Sequence, residues 1–360
     1  MHTLTIRNIN GTQHISRMIK PPALKKGDTV VFLSPSGSLA ALTPHRVERA
    51  KKWFEKSGYT VEIYESVSKS EELHSAVSPE EAAHELHQAF TDSNVKAIIC
   101  SVGGIVANKV LPLLDYDLIR ENPTIFCGYS DITNYHCAMQ TQANLVTFYG
   151  PAVVTQFGEW PEPHEYTVKN FFQAVQQTNG RRKIEASTEW TDDKTVDYVE
   201  KTDTGYHRTY QNNSGYTWLH EGKATGILVG GCITSLMNLR STSYYPDMKN
   251  KILLLETSEG TDYTKGQSLG DIESYLQNLR LDGTFEKIAG IVFGRGFGYA
   301  EDQHEILQSL VTNMTEDKNI PVVHNVDAGH TDPINTWPLG VEISIDSAEN
   351  GIVLKDSAVY

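Results

Sequence analysis

The sequence has no Cys-x-x-Cys pair, no lysine- and arginine-rich tract, and no apolar run near the roughly 20 residues of a membrane span. Each absence excludes something. Basic residues number 31 against 45 acidic ones, for a net charge of −14, so the cationic footprint that a nucleic-acid polymer demands is missing. A small nucleotide-like molecule remains compatible with that balance. Cys100, Cys127, Cys137 and Cys232 lack metal-site spacing, and three of them stand in apolar contexts, which predicts buried thiols in a reducing compartment. His84 and His87 form His-Glu-Leu-His rather than His-Glu-x-x-His, so no metal is expected. No Gly-x-Gly-x-x-Gly follows the first apolar run, which argues against a dinucleotide, and no cofactor is expected. Residues 1–20 lack the apolar centre of a secretion signal and read as an extension, with the cytoplasm as the expected compartment.

What is present is alternation. "TVVFLSP" reads as a buried strand, and "YTVEIY", "VKAIICSVGG", "TIFCGYS" and "NLVTFYGP" read as four further strands. Between the early ones lie helix patterns with start and stop signals: Thr43-Pro44 to Gly58, then Ser78 followed by Pro79 and two glutamates. This predicts a flavodoxin- or Rossmann-like parallel sheet over residues 21–165. Residues 166–222 read as linker and an aromatic-bearing insertion of weak periodicity. Residues 223–360 carry a second set of apolar runs, "ATGILVGGC", "KILLLE", "IAGIVFG", "GVEISID" and "GIVLKD", predicting a smaller mixed α/β domain.

Ligands of parallel sheets bind beyond the carboxyl ends of the strands. Gly103-Gly104 and Gly128-Tyr129-Ser130 both fall at such ends. In "TIFCGYSDITNY", residues 124–135, Gly128 eases a corner and Ser130 sits at its apex. A serine there is exposed to a carbonyl, and the first helical N–H groups can hold an oxyanion. It is also the ordinary place for a helix-capping serine, and Ile132 stands where the second glycine of Gly-x-Ser-x-Gly would be. Both readings are open on this motif alone.

A nucleophilic serine needs a histidine and an acid. His330 stands on a glycine-preceded turn in "NVDAGHTDPINTWPLG", where a loop is held by flanking scaffold. His136 follows Ser130 on the same helix and reads as structural. Glu256 closes the apolar run "KILLLE"; a carboxylate there is costly without a partner, and an imidazolium would supply one. Glu259 is the fallback, in a stretch that reads as a more solvated loop.

Taken in order, "SVGGIVANKVLPLLDYDLIRENPTIFCGYSDIT", "ATGILVGGCITSL", "LLLETSEG", "IAGIVFG" and "DAGHTDPINTWPLG" resemble the serine LD-carboxypeptidases, and within them the microcin C immunity (MccF-type) peptidases. The likeness runs from about residue 21 to near the C-terminus. It implies a swivelling-type second domain, a homodimer, and a Ser-Glu-His triad falling on Ser130, Glu256 and His330. It also implies oxyanion donors at the backbone N–H groups of Gly104 and Asp131, with Gly103 beside the substrate. The chain departs from many relatives in having Thr257 after the glutamate and Val102-Gly103-Gly104-Ile105 where murein-cleaving members have an arginine before the glycines.

The insertion "ASTEWTDDKTVDYVEKTDTGYHRTYQNNSGYTW" resembles the MccF-type loop that bears a base-stacking tryptophan, and Trp190 falls on that position. The implied substrate is a peptidyl- or aminoacyl-nucleotide. Two other readings stand beside it: release of a terminal D-alanine from muropeptides, and a non-catalytic binder of nucleotide analogues. In the latter case Trp190 and Trp218 would only anchor the loop.

Overall fold

The computed structural model describes residues 18–71, 74–193 and 195–360; most of the expected N-terminal extension, residues 1–17, lies outside the described residues, as does residue 194 of the insertion. In chain order the strands are β1 (Thr29–Leu33), β2 (Thr60–Ile63), β3 (Val95–Cys100), β4 (Ile125–Gly128), β5 (Thr147–Tyr149), β6 (Arg182–Ile184), β7 (Glu189–Trp190) and β8 (Gln211–Asn212). They continue with β9 (Thr217–His220), β10 (Lys223–Cys232), β11 (Lys251–Glu256), β12 (Gly290–Gly294), β13 (Val322–Val326), β14 (Trp337–Leu339), β15 (Glu342–Asp346) and β16 (Gly351–Leu354).

The first sheet has the order β14-β5-β4-β3-β1-β2, with β1 to β5 parallel, as the alternating apolar runs predict. β1, β3, β4 and β5 are buried, as strands covered on both faces are, whereas the edge strand β2 is largely exposed. The helix Pro79–Thr91 begins where the sequence marks it: Ser78 Oγ accepts from the Glu81 N–H, and the Glu81 carboxylate accepts from the Ser78 N–H. Pro44–Lys56 begins on its proline and ends before Gly58, whose φ of 93° takes the chain out of the helix.

The second sheet has the order β6-β16-β15-β10-β11-β12-β13-β9. Its centre, β10 to β13, is parallel and its flanks are antiparallel. The carboxyl ends of β4 and β5 in one sheet meet those of β10 and β11 in the other: Thr133, just past β4, accepts from the Cys232 N–H at the end of β10. After β13 the chain does not stay with the second sheet. It crosses back, and β14 pairs antiparallel with β5, setting Trp337 opposite Tyr149. Residues 327–336 therefore span the two sheets, tethered at both ends, and His330 rides on that span.

One stretch differs from its sequence reading. Within the expected linker, Glu165–Gln176 forms a helix whose Phe171 and Phe172 pack on Trp53, Phe54 and Phe157. Two adjacent phenylalanines blur the helical period, and the cap is an unusual one, His164 Nδ1 accepting from the Tyr166 N–H. Among the described residues, no helix is long and apolar enough to cross a membrane.

Candidate active site

Gly128 ends β4, and the chain turns at once into a short 3₁₀ turn, Ser130–Ile132, and then the helix Thr133–Ala138. Ser130 occupies the corner with φ 63°, in the left-handed region that a residue with a Cβ avoids. Three contacts hold it there. Its N–H donates to the Tyr149 hydroxyl at 3.2 Å, its carbonyl accepts from Thr133 Oγ1 at 2.7 Å, and Gly103 lies against its side chain. A Cβ on Gly103 would stand 2.7 Å from Ser130 Cβ, so only glycine fits.

The Gly103 carbonyl accepts from the Gly37 N–H at 2.8 Å. Across a trans peptide the next N–H points the opposite way, so that of Gly104 is aimed away from Gly37. The Asp131 side chain ties this loop to the corner: Oδ2 accepts from Ser36 Oγ at 2.6 Å and the Ala107 N–H at 2.9 Å, while Oδ1 accepts from Asn134 Nδ2 at 2.7 Å. The glycine loop and the first turn after Ser130 thus move as one body.

Glu256 ends β11, fully buried. Its partners answer the cost expected of a buried carboxylate. Oε1 accepts from the Tyr149 hydroxyl at 2.5 Å, and Oε2 lies 2.8 Å from His330 Nδ1. The structure therefore links the Ser130 backbone N–H, Tyr149, Glu256 and His330 in series; among the described residues no hydrogen bond joins Ser130 Oγ to His330. The Tyr129 ring stands edge-on to the imidazole at 5.0 Å.

The partner at His330 Nε2 is the Glu259 carboxylate, 3.1 Å away. The sequence marks Glu259 as the more solvated of the two acids, and its side chain is 37% exposed against 0% for Glu256, yet the loop after β11 folds back and brings one carboxylate oxygen to the imidazole. Burial disfavours the imidazolium, but the charges of Glu256 and Glu259, the hydrogen bond to Glu256 and the charge of Asp332 outweigh it and raise the His330 pKa to about 9. His136 is the reverse case: burial pushes it down to about 4, so it stays neutral, with Nε2 3.0 Å from the Gly128 carbonyl oxygen.

Trp190 lies in the β7–β8 ribbon, and the adjoining Thr191 exchanges both backbone hydrogen bonds with Asp332, two residues beyond His330. The insertion is thus fastened to the histidine-bearing span. The Arg295 guanidinium sits 4.8 Å from the centre of the Trp190 ring and covers one indole face. Trp218 is elsewhere, on β9, donating to Asn350 Oδ1.

One participant, Tyr149, and one contact, that of the fallback acid Glu259 with Nε2, escape sequence reasoning. Tyr149 carries the one available signal, a polar-tipped aromatic closing a buried strand beside the strand of Ser130. The approach of Glu259 leaves no sequence signal, because it depends on how a loop folds back.

The comparisons agree with this architecture. Residues 30–150 match the model of the LD-carboxypeptidase N-terminal domain and residues 225–345 that of the C-terminal domain. The chain belongs to the LD-carboxypeptidase family and is a serine hydrolase. Among individual proteins it is similar to YocD of Bacillus subtilis, which carries a carboxypeptidase name: 34% identical over 324 residues, 90% of this chain and 95% of that one. The crystal structure of an MccF-like protein from Bacillus anthracis is 36% identical, covers 93% of this chain and 99% of its own, and has a TM-score of 0.84. The microcin C7 self-immunity protein MccF, solved in complex with aspartyl sulfamoyl adenosine, has a TM-score of 0.87 at 26% identity, covering 95% of this chain and 100% of its own.

Proposed function

We propose that this chain hydrolyses an amide-type bond between an aminoacyl or peptidyl group and a nucleotide-like leaving group, with Ser130 as nucleophile. The observation that carries the reading is the series Ser130–Tyr149–Glu256–His330, built around a serine at φ 63°. Such strain at a strand-to-helix corner is retained where it presents a reacting atom.

His330 Nε2 takes the Ser130 proton as Oγ attacks the carbonyl. Glu256, on Nδ1, fixes the tautomer and balances the imidazolium. The N–H groups of Gly104 and Asp131 receive the oxyanion. His330 then protonates the leaving nitrogen; the neutral imidazole next takes a proton from water as the water oxygen adds to the acyl carbon, and returns it to Ser130 Oγ as the ester bond breaks.

The substrate class is supported by the likeness to MccF with its aminoacyl sulfamoyl adenosine, and by Trp190. The indole is backed by Arg295 and flanked edge-on by the His304 ring, which would hold it in place for stacking on a base. The test is hydrolysis of aspartyl sulfamoyl adenosine by the wild-type chain and by Ser130→Ala, beside a muropeptide tetrapeptide. Turnover of the nucleotide compound, falling about 10⁴-fold or more in the variant, supports the reading. Turnover that survives the substitution ends it, and cleavage of the tetrapeptide alone moves the substrate to murein.

A further inference from the structure

His330 has a carboxylate on each side, and the two are held differently. Glu256 is fully buried and bonded to both Tyr149 and His330. The Glu259 side chain is 37% exposed, yet its Oε2 is shut off from solvent and makes no aligned hydrogen bond, so the 3.1 Å approach to Nε2 is charge attraction alone. Glu259 stands at the base of a loop closed by its bridge to Gly266 and by the Gly260 N–H donating to the Lys265 carbonyl.

Nε2 is the atom that has to accept the serine proton. With a carboxylate against it, the imidazole is held as an imidazolium and cannot act as a base. Among the described residues, the cations of the surrounding loops have carboxylate partners. Lys265, on its own loop, pairs with Asp262; Arg208 holds Glu159 and Asp332; Arg295 holds Asp327. Tyr129 and Phe297 offer only rings toward the imidazole. A cation carried by the substrate would give Glu259 a partner that these residues do not.

We propose that Glu259 is the recognition site for a free α-ammonium group next to the scissile carbonyl, and that capturing this group draws Glu259 off His330 Nε2. The inference rests on the hydrolase reading above and adds which end of the substrate is read. In a near-attack arrangement the carbonyl carbon stands about 3–3.5 Å from Ser130 Oγ. An α-nitrogen lies about 2.5 Å from that carbon by standard bond lengths. With Nε2 placed to take the serine proton, as the hydrolase reading requires, the ammonium falls on the side of the imidazole where that carboxylate rests. As the carboxylate turns to the ammonium, the imidazolium loses its Nε2 proton to solvent water. The neutral ring, still donating from Nδ1 to Glu256, is then ready to accept the proton of Ser130. An N-acylated substrate, peptidyl compounds included, brings no charge and leaves the histidine blocked, so the inference narrows the reading above to aminoacyl compounds.

The experiment measures binding of aspartyl sulfamoyl adenosine and its N-acetyl derivative by calorimetry, to full-length Ser130→Ala and to Ser130→Ala/Glu259→Gln. The expected result is about 30-fold or greater preference for the free amine in the first, shrinking to within about threefold in the second. Equal binding of both compounds, a preference that persists without Glu259, or no binding of either overturns the proposal. Hydrolysis by the wild-type chain separates the two readings. A Glu259-dependent amine preference without any hydrolysis leaves the ammonium site standing and removes the hydrolase assignment. Hydrolysis of both compounds at equal rates, with or without Glu259, does the opposite.

Discussion

The Tyr149 hydroxyl donates to Glu256 Oε1 at 2.5 Å and accepts the Ser130 N–H at 3.2 Å, so one side chain from the first sheet connects the serine corner to the acid of the second. Removing it leaves a buried carboxylate short of one donor and a corner N–H without its acceptor. Tyr149→Phe is expected to lower kcat by about 10- to 100-fold with little change in KM, because the group positions and does not touch substrate. Stability should fall by about 1–3 kcal/mol, the cost of the unmade bonds. Urea unfolding and steady-state kinetics check both, and a change confined to KM would contradict the positioning role.

Ser130 at φ 63° stores backbone strain that glycine would not. Ser130→Gly is expected to abolish hydrolysis while raising stability by about 1 kcal/mol. A thermal or urea midpoint below that of the wild type would show that the corner is not strained.

How much of this was legible beforehand depended on whether the cause was local. The parallel sheet, the capped helix at Ser78 and the carboxyl-end placement of Ser130 and Glu256 follow from short-range apolar patterns and turn chemistry, and the structure has them. The helix 165–176 was hidden by its histidine cap and paired phenylalanines. The return of β14 to the first sheet, which fixes the span carrying His330, is a long-range pairing that no local pattern announces. The same holds for Tyr149 and Glu259: residue type and strand end suggest one, while only loop closure reveals the other.

Trp190 should matter for the nucleotide end alone. Base stacking on an aromatic ring is worth about 1–3 kcal/mol, so Trp190→Ala is expected to raise KM for aspartyl sulfamoyl adenosine by about 10- to 100-fold. Trp190→Phe should recover most of this. Unchanged KM in the alanine variant would reduce the ring to an anchor for the insertion.

Gly329 sets the distance between acid and base. Its φ is 93°, and a Cβ there would stand 2.1 Å from Glu256 Oε2. Gly329→Ala therefore has to push the carboxylate off His330 or distort the span. The expected outcome is a loss of activity of about 100-fold or more, with a stability cost of about 1–3 kcal/mol. Near-normal activity in a folded variant would mean that the Glu256–His330 contact is dispensable.

The His330 pKa of about 9 gives the free protein a pH signature. The base form gains population as pH rises, so kcat/KM should climb from pH 7 toward 9. In Glu259→Gln one of the three raising charges is gone, and the rising limb should move to lower pH. Stability runs the other way. A histidine whose folded pKa exceeds the ordinary 6.5 contributes stability that is fully present below 6.5 and is lost as pH climbs through about 9. NMR titration of the imidazole and urea midpoints at pH 6, 8 and 10 measure both effects. An imidazole titrating near 6.5 in the wild type, or a limb unmoved in Glu259→Gln, would show that the two carboxylates do not govern the base.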